Sequence, residues 1–242
     1  MDHVDSYREV LARYSAFCDS RTAIYAAIIS KASPVLQEMR DKERERPPNF
    51  NIFLSLGHAY REVSTHSAML AHLLDPAGSH QQGTLFLCSF LDIVQKASVD
   101  QGKHFIIPRL QDDARWRCRR EVWLRDGLGQ ADILLRGPGL ILVIENKIGA
   151  ADQDKQLCRY WEYARTEAEK NSLLPVVVYL TPDGRAPTPG SVGGALGLDE
   201  MLVRLSYQQD IYELIMRTVM TVRAISVAEV LRQYADLVRR LT

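Results

Sequence analysis

The chain has 242 residues, with thirty basic and thirty acidic side chains that cancel to zero net charge, and 46% of its residues are hydrophobic. That hydrophobic content suffices for a sizeable α/β core, alone or with a helical appendage, and excludes a disordered chain. Zero net charge excludes any argument for a nucleic-acid partner from overall electrostatics; attraction for phosphate must be local.

No hydrophobic signal segment follows the first ten residues, MDHVDSYREV, and no apolar run is long enough to span a bilayer. Cys18, Cys88, Cys118 and Cys158 are scattered, without a C-x-x-C pair. They predict neither a zinc site nor a disulfide framework, and the default is a cytoplasmic protein with reduced thiols and no membrane association.

Residues from about Asp5 to Ser30 have helix-forming composition, with Ile24, Ile28 and Ile29 available for packing. Ser33-Pro34 reads as an N-cap followed by proline at the first position of a second helix. That helix runs into RDKERERPPNF, Arg40 to Phe50, whose charges and paired prolines predict an exposed connection. The domain boundary is placed there, giving an N-terminal helical extension at 1–48 and the main domain at 49–242. The extension carries no recognisable chemistry; homo-oligomerisation or binding of a protein partner is the role open to it.

Ser64 to Leu74 predicts an amphipathic helix that packs Met69, Leu70, Leu73 and Leu74 inward and is stopped by Asp75-Pro76-Ala77-Gly78. Glu62, just upstream, reads on its own as an exposed acid at a helix start. RWRCRREVWLR, Arg115 to Arg125, sets five arginines around two tryptophans. Two readings stand: a twisted strand whose arginines are solvated, or a positive rim in which Arg115, Arg117, Arg119 and Arg120 meet DNA backbone.

The stretch from Gln130 to Ala150 contains two short apolar runs, Ala131 to Leu135 and Leu140 to Ile144, separated by Gly137-Pro138-Gly139. The turn residues predict an antiparallel hairpin, and the second run predicts a strand covered on both faces. Side chains at i and i+2 share a face, so Glu145 and Lys147 project together. An exposed ion pair of little energetic weight is the plain alternative. If the turn centres between Pro138 and Gly139, however, Asp132 lies across from Glu145 at the same end of the hairpin. Two facing carboxylates repel unless a cation bridges them, and hard oxygen donors suit Mg²⁺ or Mn²⁺. Lys147 beside them could stabilise developing negative charge or orient a water, as a phosphodiester hydrolase requires. A one-residue slip would turn one acid to the opposite face.

Asp152 can cap a following helix that reaches about Lys170, with Gln156 and Tyr160 on one face and Tyr160 read as core packing. Leu174 to Pro182 predicts a buried strand parallel to the one before it, because a helix intervenes. Asp183 to Gly197 reads as a mobile Gly/Pro loop. EMLVRLSY then predicts a strand, and Gln208 to Val219 and Ser226 to Leu241 predict helices. The sum is a mixed sheet flanked by helices.

Asp132 followed by Glu145-Asn146-Lys147 resembles the signature of the PD-(D/E)XK nuclease superfamily, with its restriction-endonuclease-like core. Two further segments, REVSTHSAMLAHLLDPAGSHQQGTLFLCSFL from Arg61 to Leu91 and DQDKQLCRYWEYA from Asp152 to Ala164, resemble one bacterial subfamily. That subfamily carries an E-x-x-x-H-S helix ending in L-L-D-P, and Q-L-x-x-Y after the E-x-K strand. The resemblance runs from about Phe50 to Tyr163; Gln130-Ala131 stand where the name-giving proline would precede the first acid. It implies a Mg²⁺-dependent deoxyribonuclease, with Mn²⁺ as an alternative metal, in which Asp132 and Glu145 bind metal and Glu62 completes the acidic cluster. The bound metal would activate water and offset the charge of the transition state. Gln156 matches a glutamine that reaches a water or phosphate oxygen at the site. His66, Ser67 and His80 match polar family positions without an assigned role. Such nucleases are frequent in bacterial restriction and anti-phage systems. An RNA nuclease, or a catalytically silent nucleic-acid-binding or assembly module of the same fold, stays open as an alternative.

Overall fold

The structure is a computed structural model and describes residues 3–45, 47, 50–110 and 115–241, of which 3–5 and 126 by backbone alone. It divides into two compact units, Met1–Phe50 and Asn51–Thr242. The boundary expected at residues 48 and 49 lies outside the described residues.

The first unit is one long helix, α1 (His3–Glu45), and Pro34 lies inside it. This corrects the expectation of two helices. A proline's fixed φ suits a helix even though its missing N–H and its ring cost one hydrogen bond. With no glycine between Tyr25 and Glu45, nothing turns that deficit into an end. Tyr7, Val10, Tyr14, Phe17, Ile24 and Ile28 are exposed along α1 at spacings of three, four and seven residues, the repeat of a helix with one apolar stripe.

The second unit opens with α2 (Ile52–Ser55), capped by the Asn51 side chain, and a π-helical turn (Glu62–Ser67) continuing into α3 (Ala68–Leu74) and then α4 (Leu85–Asp100). Three antiparallel strands follow: β1 (Arg117–Trp123), β2 (Gln130–Gly137) and β3 (Leu140–Asn146). The helix α5 (Gln156–Asn171) crosses over to β4 (Leu174–Thr181), parallel to β3. Short helices α6 (Pro189–Val192) and α7 (Leu198–Met201) lead to β5 (Leu202–Ser206), parallel to β4. A second π-helical turn (Tyr207–Ile211), α8 (Tyr212–Val219) and α9 (Ile225–Arg239) complete the fold. The five strands lie in chain order in one mixed sheet, the architecture expected.

Every residue of β3 is buried, because helices cover both faces. Leu140, Leu142 and Ile144 pack with α3, α4, α8 and α9, while Ile141 and Val143 pack with Leu157, Tyr160 and Trp161 of α5. Each such aliphatic side chain contributes about 1.5–3 kcal/mol, so the centre of the sheet holds the polar end of β3 in place. The β2–β3 turn is tight for two reasons. Gly139 takes a positive φ of 74°, and at Gly137 the Trp116 ring fills the space a Cβ would need.

Two local expectations are corrected. Asp152 does not cap α5, which starts after Lys155; its carboxylate instead accepts the Tyr179 hydroxyl at 2.5 Å and the Thr188 N–H at 2.7 Å. Through those bonds the segment 183–197 is fastened to the sheet and contains α6, rather than forming one irregular loop. Among the described residues, no helix is long and apolar enough to cross a membrane.

Candidate active site

The β2–β3 ladder pairs Gly137 with Leu140 and Ile133 with Ile144. One more step sets Asp132 across from Glu145, the register the turn implied. Glu145, two residues beyond Val143, lies on the α5 face, and Lys147 follows it. The Lys147 N–H bonds to the Leu180 carbonyl at 2.8 Å, which carries the β3–β4 pairing past the last strand residue.

The Lys147 ammonium stands 2.6 Å from Glu145 Oε1. Glu145 is 1% exposed and Lys147 5%, so the exposed-ion-pair reading is excluded. Asp132 Oδ2 accepts the Asn146 N–H at 2.7 Å, and Glu62 Oε2 accepts the Ile148 N–H at 2.6 Å. Glu62 is therefore not a loose helix-start acid upstream of the turn. It is the first residue of the π-helical turn and reaches the end of β3. Three carboxylates from three elements converge on residues 145–148.

Burial governs their electrostatics. It pushes the Asp132 carboxyl up to about 6, against the stabilising Asn146 N–H and with the help of nearby Glu62. Burial and then the Asp132 charge push Glu145 up to about 8, against the pull of Lys147. For Lys147 burial works downward, but its ion pair with Glu145, together with Glu62 and Asp132, outweighs it and holds the ammonium above its ordinary pKa.

Gln156 and Tyr160 share a face of α5 as the spacing predicts, and the Gln156 amide donates to the Tyr160 hydroxyl at 3.0 Å. Tyr160 has one proton, given to the Gln130 carbonyl at 2.5 Å. Glu145 lies close enough to the same hydroxyl to feel it, but the hydroxyl has no second proton to give. Glu145 Oε2 and Gln156 Oε1 are buried without a hydrogen-bond partner among the described residues. An unsatisfied buried carboxylate oxygen costs free energy and asks for a missing partner. The donor set fits a hard divalent cation in kind and in its unused oxygen. Among the described residues, no three His, Cys, Asp or Glu side chains are drawn together tightly enough to hold an ion as they stand; Glu62, Asp132 and Glu145 are the residues that would hold it.

Three features escaped sequence reasoning. Tyr160 is more than core packing, since its hydroxyl joins Gln156 to β2. Glu121, between the pairs Arg120–Ile133 and Val122–Ala131, stands opposite Asp132, adds to the rise of the Asp132 pKa, and has one buried carboxylate oxygen without a partner among the described residues. Its φ of 53° breaks the strand alternation, a conformation costing a non-glycine residue roughly 1–2 kcal/mol. Only the β1–β2 register would have pointed to it. The third is a buried hydrogen bond from the Asn146 side chain to the Ser67 hydroxyl at 2.9 Å.

His66 is buried. Its Nε2 faces the Ala59 carbonyl at 2.8 Å and its Nδ1 the Tyr234 hydroxyl at 3.1 Å. A carbonyl only accepts, so Nε2 carries the proton and Nδ1 accepts; burial lowers the His66 pKa, consistent with a neutral ring. His80 closes the turn after α3, with Nε2 donating to the Asp75 carbonyl at 2.9 Å and Nδ1 accepting the Gln82 N–H at 3.0 Å. The four arginines do not share one face. Arg117 and Arg119 pair with Arg136 and Leu134, Arg120 with Ile133 on the other face, and Arg115 precedes the strand. All four are exposed.

A mixed sheet whose second and third strands deliver an aspartate and an E-x-K sequence to one end defines a restriction-endonuclease-like α/β domain. The family model of the PD-(D/E)XK nuclease superfamily matches residues 50–236, and the chain belongs to that superfamily. Membership implies phosphodiester hydrolysis of a nucleic acid, and the superfamily generally uses divalent metal ions. No curated protein and no solved structure matches the chain.

Proposed function

We propose that the protein is a deoxyribonuclease dependent on Mg²⁺, or Mn²⁺ in its place, with Asp132, Glu145 and Glu62 as the metal-binding acids and Lys147 and Gln156 acting on the reacting groups. The observation that carries this is the buried Glu145 carboxylate, paired with Lys147 through one oxygen, with the other left without a partner among the described residues. A bound divalent cation would supply Lewis-acid activation of water and neutralise charge on the phosphate.

The chain's own residues do the rest. Lys147, kept protonated by Glu145, donates to a phosphate oxygen or to the attacking water and stabilises negative charge as it develops. Gln156, whose amide nitrogen is committed to Tyr160, has its carbonyl oxygen free to orient that water. The arginines of β1, an edge strand beside Asp132, are proposed to attract backbone phosphates. We also propose a cytoplasmic setting and a role in bacterial restriction or anti-phage defence, on the family resemblance alone.

The test is incubation of the purified protein with plasmid, linear duplex, single-stranded DNA and RNA, each with Mg²⁺, Mn²⁺ or EDTA. Metal-dependent cleavage of DNA in preference to RNA is expected. Cleavage of RNA alone would make it a ribonuclease, and cleavage of nothing would favour a catalytically silent module.

A further inference from the structure

The sequence EVSTHS holds an acid, Glu62, and a buried serine, Ser67, five residues apart. In an α-helix, at 3.6 residues per turn, five residues rotate by about 140°, and the two side chains would point in different directions. The segment is instead a π-helical turn, with the His66 N–H bonding back to the Arg61 carbonyl at 3.3 Å. A bond that spans five residues widens the turn and brings positions i and i+5 closer to one side, so Glu62 and Ser67 face the same neighbour. Single π-turns of this kind recur at functional sites.

That neighbour is the end of β3. Glu62 Oε2 accepts the Ile148 N–H, and Ser67 Oγ accepts the side-chain N–H of Asn146 at 2.9 Å, with both partners fully buried. Asn146 lies between Glu145 and Lys147 but on the opposite face of the strand, so it cannot share their chemistry. Behind the turn, His66 is fixed by Ala59 and Tyr234.

We propose that Ser67 is a positioning residue: through Asn146 it clamps the π-helical turn to β3 and so delivers the Glu62 carboxylate to Glu145 of that strand and Asp132 of β2. His66 holds the same turn from the side of α9. The proposal rests on the metal-site reading given above. Its chemical consequence is that Ser67, which touches no metal or substrate, governs the affinity for the cation through Glu62.

The experiment is a double-mutant cycle read by Mn²⁺ binding, with free Mn²⁺ measured by its EPR signal over the intact chain, its Ser67→Ala and Glu62→Gln variants, and the double variant. Ser67→Ala should weaken Mn²⁺ binding about tenfold, the lower end of the effect of outer-shell partners. In the Glu62→Gln background it should change the dissociation constant little, because residues acting through one another are not additive. If Ser67→Ala does not fold, Asn146→Ala breaks the same clamp from the strand side and should show the same dependence on Glu62. An equal loss in both backgrounds would make the clamp merely structural and overturn the proposal, as would an unchanged affinity in Ser67→Ala or in Glu62→Gln. Failure of the unaltered protein to bind Mn²⁺ would instead overturn the metal-site reading, and this proposal with it.

Discussion

Lys147 and Glu145 form a salt bridge of 2.6 Å at the end of a strand buried along its whole length. A buried pair is a weak source of stability, because removing two charges from water costs about what their attraction returns. Its presence at the meeting point of three carboxylates therefore argues for chemistry.

If Lys147 must act as a compact donor, Lys147→Arg should fail. The guanidinium is planar and longer and cannot occupy the same point beside Glu145. Single-turnover cleavage should fall about a hundredfold or more, with metal and DNA affinities little changed, the pattern of an interaction made in the transition state. Near-normal cleavage would remove the lysine from the mechanism.

Asp132→Asn and Glu145→Gln should each abolish metal-dependent cleavage while leaving DNA binding in place. Asp132→Asn also removes a charge that burial disfavours, so the metal-free variant should unfold at a slightly higher temperature than the unaltered protein, whereas Glu145→Gln strips the buried Lys147 of its ion-pair partner and should unfold at a lower one. Full cleavage by both variants would place the activity elsewhere.

The raised carboxyls set a pH dependence. In the folded chain Asp132 is pushed to about 6 and Glu145 to about 8, both above the ordinary values of 3.8 and 4.5. The folded state thus binds more protons than the unfolded state in that window, and stability falls as pH rises. Without metal, the melting temperature should decline from about pH 5 to about pH 8. Added Mg²⁺, which relieves the repulsion, should raise it more at pH 8 than at pH 5. Differential scanning calorimetry with EDTA or Mg²⁺ checks the sign; a flat metal-free profile would count against the coupled acids.

For the basic strand, Arg117 and Arg119 share the face on which Leu134 lies, and Arg120 does not. If that face meets DNA, neutralising Arg117 and Arg119 together should reduce the slope of log K against log salt by about two, near 0.9 per lost phosphate contact. Neutralising Arg120 alone should leave the slope unchanged. Equal slopes in all variants would return the arginines to a solvating role.

The sequence by itself determined the hairpin and its turn, since Gly137-Pro138-Gly139 separates two short apolar runs; the register stayed conditional on where that turn centres, and the ladder fixed it. It determined the parallel step to β4, since a helix must cross over between parallel strands. It also carried the family, because Asp132, Glu145 and Lys147 stand at spacings that an alternating strand converts directly into one face. Tertiary structure alone decided what depends on neighbours distant in the chain. Asp152 answers Tyr179 and Thr188 instead of capping α5. Glu121 meets Asp132 only through the pairing of β1 with β2. Ser67 and Asn146, seventy-nine positions apart, are joined because a π-turn rotates the serine onto the side of the acid, which a local pattern read at the α-helical period cannot show. Burial decided the rest: the same ion pair would carry little weight in water, and a protein interior that withholds solvent strengthens it.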